Sequence, residues 1–153
     1  MFDPVFSKVL VAYDGSEPSK RALDHAAKMA AMFEGELAIL TVVPKVSIPV
    51  YSNAELGAQA MDIASLQERM QENYNQALNK AEEEIKGLYP HLKVEKILRE
   101  GRPSSTIVSE ADRLGVSLIV MGSRGLGGIS GWILGSTSRQ VVDQCTKAIL
   151  IVK

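Results

Sequence analysis

The sequence predicts an α/β fold: an open, five-stranded parallel sheet with helices on both faces. Two observations carry this expectation. Short apolar runs recur at residues 8–13, 36–43, 93–99, 116–121 and 148–152, and all but the third are nearly continuous Val, Ile and Leu. Continuous rather than alternating runs mark strands buried on both faces. Stretches with helical periodicity separate the runs. The resulting β-α-β-α-β-α-β-α-β order assembles, through right-handed crossovers, into a parallel sheet between two helical layers.

The elements follow in order. The first run ends in the turn Asp14-Gly15-Ser16, where Ser16 is placed to cap a helix with Pro18 in its first turn. Leu23, Ala26, Ala27, Ala30 and Phe33 fall on one face of that helix. After the second run, the stretch from Pro44 to about Asp62 shows no clear period and carries Pro44, Pro49, Tyr51, Asn53 and Gly57. Connections this long are commonly functional or disordered, so a mobile surface connection and a lid over a ligand both stand. Leu66, Met70, Tyr74, Ala77, Ala81, Ile85 and Leu88 then form a long stripe. The third run, Val94-Glu95-Lys96-Ile97-Leu98, mixes in charge and reads as an edge strand. Pro103 opens a third helix, with stripe Ile107, Ala111, Leu114 and Gly115 as its stop. The fourth run leads through a glycine-punctuated segment into a helix from Ser138 to Cys145, bearing Val141 and Val142. Ala148 to Val152 closes the chain. The expected strand order is 3-2-1-4-5, a Rossmann-like α/β sandwich forming one domain over residues 1–153.

Composition narrows the function. A net charge of −1, from 17 basic and 18 acidic residues, gives no electrostatic case for nucleic-acid binding. No apolar stretch approaches the roughly 18 residues of a membrane span, so no membrane partner is expected. Cys145 is the only cysteine, which fits a reducing compartment and a cytoplasmic location. Met1-Phe2-Asp3-Pro4 carries an early acid, and Val9 to Tyr13 is too short for a signal peptide. His25 and His91 have no partner at metal-ligand spacing.

The most informative stretch runs from Met121 to Ser138, with glycines at 122, 125, 127, 128, 131 and 135. A strand, a glycine loop and a helix N-terminus are the parts of a phosphate site. Glycine lets the backbone approach an anion, and the helix end supplies free N–H groups and a positive dipole end. In open parallel sheets such loops meet others at the carboxyl ends of the strands, here Asp14-Gly15-Ser16 and Val42-Val43-Pro44. The familiar phosphate motifs fail letter by letter. No G-x-x-x-x-G-K-[ST] occurs, and the G-x-G-x-x-G begun by Gly125 ends at Ser130, with no acid about 20 residues on. Trp132 is unusual in a polar loop and reads as packing the loop down or meeting a partner.

What is present is Gly122, two residues, Gly125, nine residues, then Gly135-Ser136. This spacing resembles the G-x2-G-x9-G-[ST] motif of the ATP-binding branch of the universal stress protein family. Val11-Ala12-Tyr13-Asp14-Gly15-Ser16 and the closing Ala148-Ile149-Leu150-Ile151-Val152 resemble that family's first strand and turn and its last strand. The resemblance implies that Gly122, Gly125, Gly135 and Ser136 hold triphosphate and ribose. It implies that Asp14 faces the nucleotide and its Mg²⁺ or Mn²⁺, and that Ala12, Val42 and Met121 line the adenine pocket. Two readings stand for several residues. Asp14 either meets the nucleotide or supports the turn. Arg124 is a phosphate donor or a solvated loop arginine. Thr137 borders the nucleotide or, with Ser138, caps the last helix.

The implied function is an ATP-binding regulatory or stress-response protein, a nucleotide-dependent homodimeric switch pairing through the strand Ala148 to Val152. No poised general base is visible near the loop, so no catalytic residue is assigned. The alternative is a slow ATP hydrolase or adenylyl transferase on the same scaffold. The sequence names no downstream protein partner.

Overall fold

A computed structural model describes residues 5–47, 56–125 and 134–153, with the side chains of 56–61 left aside. Gly127, Gly128, Gly131 and Trp132, and with them Pro49, Tyr51 and Asn53, lie outside the described residues. The elements are β1 (Lys8–Ala12), α1 (Glu17–Met32), β2 (Glu36–Val43), α2 (Leu56–Leu88), β3 (Lys93–Glu100), α3 (Pro103–Leu114), β4 (Leu118–Gly122), α4 (Ser136–Gln144) and β5 (Ala148–Val152).

The sheet has the order β3-β2-β1-β4-β5 with every pair parallel. Register follows the apolar runs: Val9 pairs with Leu37 on one side and Leu118 on the other, and Val120 pairs with Leu150. Because side chains alternate along a strand, each run feeds two cores. Val9, Val11, Leu37, Ile39 and Val120 face one layer, with Leu23 and Ala27 of α1 and Leu78 and Ile85 of α2. Leu10, Leu40, Ile119 and Met121 face the other, with Ile107 and Ala111 of α3 and Val141 of α4. Helices α1 and α2 thus cover one face, and α3 and α4 the other. The change of face, from β3 to β4, leaves a crevice at the carboxyl ends of β1 and β4.

Local signals explain most boundaries. Ser16 caps α1, its Oγ accepting from the Ser19 N–H at 3.3 Å. Gly115 ends α3 in the left-handed conformation at φ 62°. The charged run of β3 is an edge strand.

Other expectations needed correction. Residues 56–62 belong to α2, so the irregular connection is shorter than the stretch from Pro44 to Asp62. Leu66 and Leu88, at the ends of the long stripe, are exposed, as is Val142. Strand β4 begins at Leu118, because the Val116 N–H still closes onto the Ala111 carbonyl of α3. Helix α4 begins at Ser136, and its N-cap is Gly135 with no side-chain cap bond. Ser138 does not cap it: its hydroxyl points inward and donates to the Gly122 carbonyl at 2.8 Å. Cys145 is half-buried against the α3–α4 core.

One buried acid ties α3 to the β3 edge. Glu110 accepts from Arg113 Nη2 at 2.7 Å and from Arg99 Nε at 3.1 Å. Arg113, then Arg99, hold its carboxyl below the ordinary 4.5, against the opposite push of burial. A depressed carboxylate contributes stability above its unfolded value and loses it as pH falls through the folded one. Glu110→Gln is therefore expected to lower stability at neutral pH by about 1–2 kcal/mol, the arginines being half exposed. Its denaturation midpoint should converge on that of the unsubstituted chain below pH 4.5, which urea titrations across this range would measure.

Candidate functional site

The crevice is a cleft of about 320 Å³, and the strand ends determine its chemistry. Ala12, Leu40, Val42, Ile107 and Met121 line one side. All belong to, or pack on, the α3–α4 core layer. The sheet stops here, so the end of that core is left as an open apolar slot suited to a flat aromatic group. The other side is polar: Tyr13, Asp14 and Ser19 from the end of β1 and the start of α1, and Tyr74 from α2.

The turn after β1 is internally braced. The Ser16 N–H donates to Asp14 Oδ1 at 2.9 Å. Ser19 Oγ donates to the Ser16 carbonyl at 2.9 Å and accepts from the Asp14 N–H at 3.3 Å. Gly15 makes the turn at φ 84°, and Ala77 of α2 lies over it. Asp14 therefore supports the turn with one carboxylate oxygen and lines the cleft as well. Turn support and ligand contact are compatible at this residue.

Opposite Asp14 stands Gly125. A Cβ on Gly125 would lie 2.6 Å from Asp14 Oδ2, so a side chain there would push that carboxylate or the backbone aside. A Cβ on Gly122 would lie 2.8–3.0 Å from the Cβ, carbonyl carbon and carbonyl oxygen of Pro18, where α1 crosses the end of β4. Gly122→Ala is expected to cost about 1–3 kcal/mol of stability through overpacking, read as a lowered melting temperature. Farther on, Ser136, Thr137 and Ser138 line the cleft in the first turn of α4. They precede the first intrahelical bond, from the Arg139 N–H to the Gly135 carbonyl. First-turn N–H groups and the positive end of the dipole favour an anion there.

The cleft thus gathers Ala12, Asp14, Val42, Met121, Gly122, Arg124, Gly125, Ser136 and Thr137 from the expected set. Gly135 is the exception. Its N–H donates to the Ser123 carbonyl at 2.7 Å, and a Cβ on it would sit 3.1 Å from the same oxygen. Its geometry shapes the β4 exit rather than the cleft surface.

Sequence reasoning missed Tyr13, Ser19, Tyr74, Pro103 and Ile107 as lining residues. The sequence places Tyr74 in the apolar stripe of α2, and nothing in that pattern marks it as lining a cleft. Burial, and then the Asp14 charge, push the Tyr74 phenol above its ordinary 10.0. Burial does the same for Tyr13, with Lys20 opposing and nearby acids, Asp14 among them, adding to it. Both phenols are neutral hydrogen-bond donors at neutral pH. Among the described residues, no group of three or more His, Cys, Asp or Glu side chains is placed to hold a metal ion. Nor is any helix long and apolar enough to cross a membrane.

Comparison with known proteins agrees with this geometry. A model of the universal stress protein family matches residues 6–153. Universal stress protein YxiE of Bacillus subtilis is 34% identical over 150 residues, covering 97% of this chain and 100% of that protein. Among solved structures, the universal stress protein UspA from Lactobacillus plantarum superposes with a TM-score of 0.82 at 21% identity, covering 97% of this chain and 98% of that one, a likeness of fold. A universal stress protein solved in complex with cAMP gives a TM-score of 0.63 at 27% identity, covering 96% of each chain. The fold, the matched length and the identity lead to one conclusion: this chain belongs to the universal stress protein family.

Proposed function

We propose that residues 1–153 form a single nucleotide-binding domain that takes ATP with Mg²⁺ or Mn²⁺ and acts in the cytoplasm as a nucleotide-dependent homodimeric switch. One observation carries the reading: one cleft brings together an apolar slot, an anion-favouring helix start and the Asp14 carboxylate. An adenine nucleotide has the same polarity along its length. In this reading Ala12, Val42 and Met121 receive the base. Gly122, Gly125, Ser136 and Thr137 surround the phosphates, Arg124 adds charge, and Gly135 ties the start of α4 to Ser123. The complex of a relative with cAMP supports the choice of an adenine nucleotide.

The residues present suit a cation brought in with the nucleotide. Among the described residues Asp14 is the one carboxylate lining the cleft, and Mg²⁺ typically binds through one or two carboxylates plus phosphates. The cation would offset the phosphate charge; Asp14 would fix its position.

For the dimer, the supporting feature is β5. Among the described residues it ends the sheet and has no strand on its outer edge, and its residues Ala148 to Ile151 are half-buried or exposed. Apolar edges of this kind invite pairing, and a two-fold axis would pair β5 with its copy. Nucleotide acts as a signal only through a difference in affinity between two states.

Thermal melting tests the binding reading. Mg-ATP at 100 times its dissociation constant should add about 2.7 kcal/mol to stability, raising the midpoint, whereas Mg²⁺ alone should not. An unchanged midpoint at millimolar Mg-ATP would count against it. Steady release of ADP or AMP, lost in Asp14→Ala, would instead mark a hydrolase or transferase.

A further inference from the structure

Helix α2 contributes one polar aromatic side chain to the cleft, and its position is fixed by a second polar residue on the same helix. Tyr74 is half-buried, lines the cleft beside Asp14, and among the described residues its hydroxyl has no hydrogen-bond partner. Seven residues earlier, two helical turns along the same face, Gln67 holds the chain leaving β2. Its Nε2 donates to the Pro44 carbonyl at 3.1 Å, and its Oε1 accepts from the Val46 N–H at 2.9 Å. A side-chain amide thereby does the work of a neighbouring strand. It docks α2 against the segment whose first residue, Pro44, also lines the cleft.

We propose that Tyr74 contacts the ligand, its hydroxyl donating to an oxygen of the sugar–phosphate part of the nucleotide, and that Gln67 positions α2 for this contact. The inference rests on the nucleotide reading above and deepens it. Location and chemistry support it. Tyr74 lines the cleft from α2, on the sheet face opposite the α3–α4 layer to which the apolar slot belongs, and feels the Asp14 charge. A phenol kept protonated by burial and by the Asp14 charge can only help an oxygen acceptor, whereas a phenolate would repel it. A half-buried donor with no partner in the described protein is one that a ligand can satisfy at little cost in reorganisation. Helix α2 would then sense occupancy directly.

Calorimetric titrations of the whole chain with Mg-ATP and with adenosine test this. Tyr74→Phe keeps the ring and its packing, so the melting temperature should hold while Mg-ATP affinity falls about three- to tenfold. Unchanged adenosine affinity in this variant would identify a phosphate oxygen as the acceptor, and an equal loss would identify the ribose. Gln67→Leu should also weaken Mg-ATP binding, and by less in the Tyr74→Phe background, since a positioning residue acts through its target. Additive losses would overturn the positioning role. Wild-type affinity in Tyr74→Phe would overturn the contact and leave the nucleotide reading standing. No Mg-ATP binding by the unsubstituted chain would overturn both.

Discussion

Gly125→Ala is expected to weaken nucleotide binding at least about tenfold while leaving the fold intact. The substituted Cβ would fall 2.6 Å from Asp14 Oδ2, well inside contact distance. Asp14 cannot simply turn away, because its other oxygen holds the Ser16 N–H at 2.9 Å and so braces the start of α1. Either the loop retreats from the cleft or the turn loses its brace, and both move groups that would surround the phosphates. Each 1.4 kcal/mol of such displacement costs about tenfold in affinity, so a loss of at least that size is expected. Gly125 is exposed and contributes nothing to either core, so the circular-dichroism melting curve should be nearly superimposable on that of the unsubstituted chain. Calorimetry reads the affinity; wild-type binding by Gly125→Ala would mean that the glycine loop does not meet the ligand.

The second large effect concerns assembly. Ile149→Lys should convert the proposed dimer to monomer at micromolar concentration in sedimentation velocity. Ile149 lies in the edge strand β5 and is half-buried against the α3–α4 core. A lysine stem can cover much of the same apolar surface while its ammonium reaches water, so the fold should tolerate the change. Lysine on an edge strand opposes strand addition, since a second copy would bring two ammonium groups together in a desolvated seam. A variant that sediments as the unsubstituted dimer does, or an unsubstituted chain that is already monomeric, would remove β5 from the account.

The sheet was largely legible because its strands are buried on both faces. The continuous runs at Val9–Val11 and Leu118–Val120 leave no alternative to a central parallel position, and the charges at Glu95, Lys96 and Arg99 mark β3 as an edge. Less legible was the start of α2. Residues 56–62, Leu-Gly-Ala-Gln-Ala-Met-Asp, carry no clean stripe, yet Ala, Gln and Met are good helix formers. Once a long downstream helix exists, extending it by a few residues avoids the cost of a new nucleus.

At the site, the residues next to strand ends could be found because strand order and glycine spacing place them. Tyr74 could not, since a tyrosine in a buried stripe gives no sign that the end of the sheet leaves its hydroxyl over a cleft. The misread cap has a similar origin. Ser136, Thr137 and Ser138 all have the composition of a helix start, but the Gly122 carbonyl at the end of β4 needs a donor, and Ser138 supplies it. Gly135 then takes the cap position, and its own N–H goes to Ser123.

In the proposed function, the cleft between β1 and β4 holds an adenine nucleotide. Its most direct test is titration of the purified chain with Mg-ATP, following calorimetric heat together with the fluorescence of Trp132, the only tryptophan and a neighbour in sequence of the glycine motif. Saturable heat with a matching fluorescence change, both needing at least about tenfold more Mg-ATP in Gly125→Ala, is the expected result. Neither heat nor fluorescence change up to millimolar Mg-ATP would contradict it.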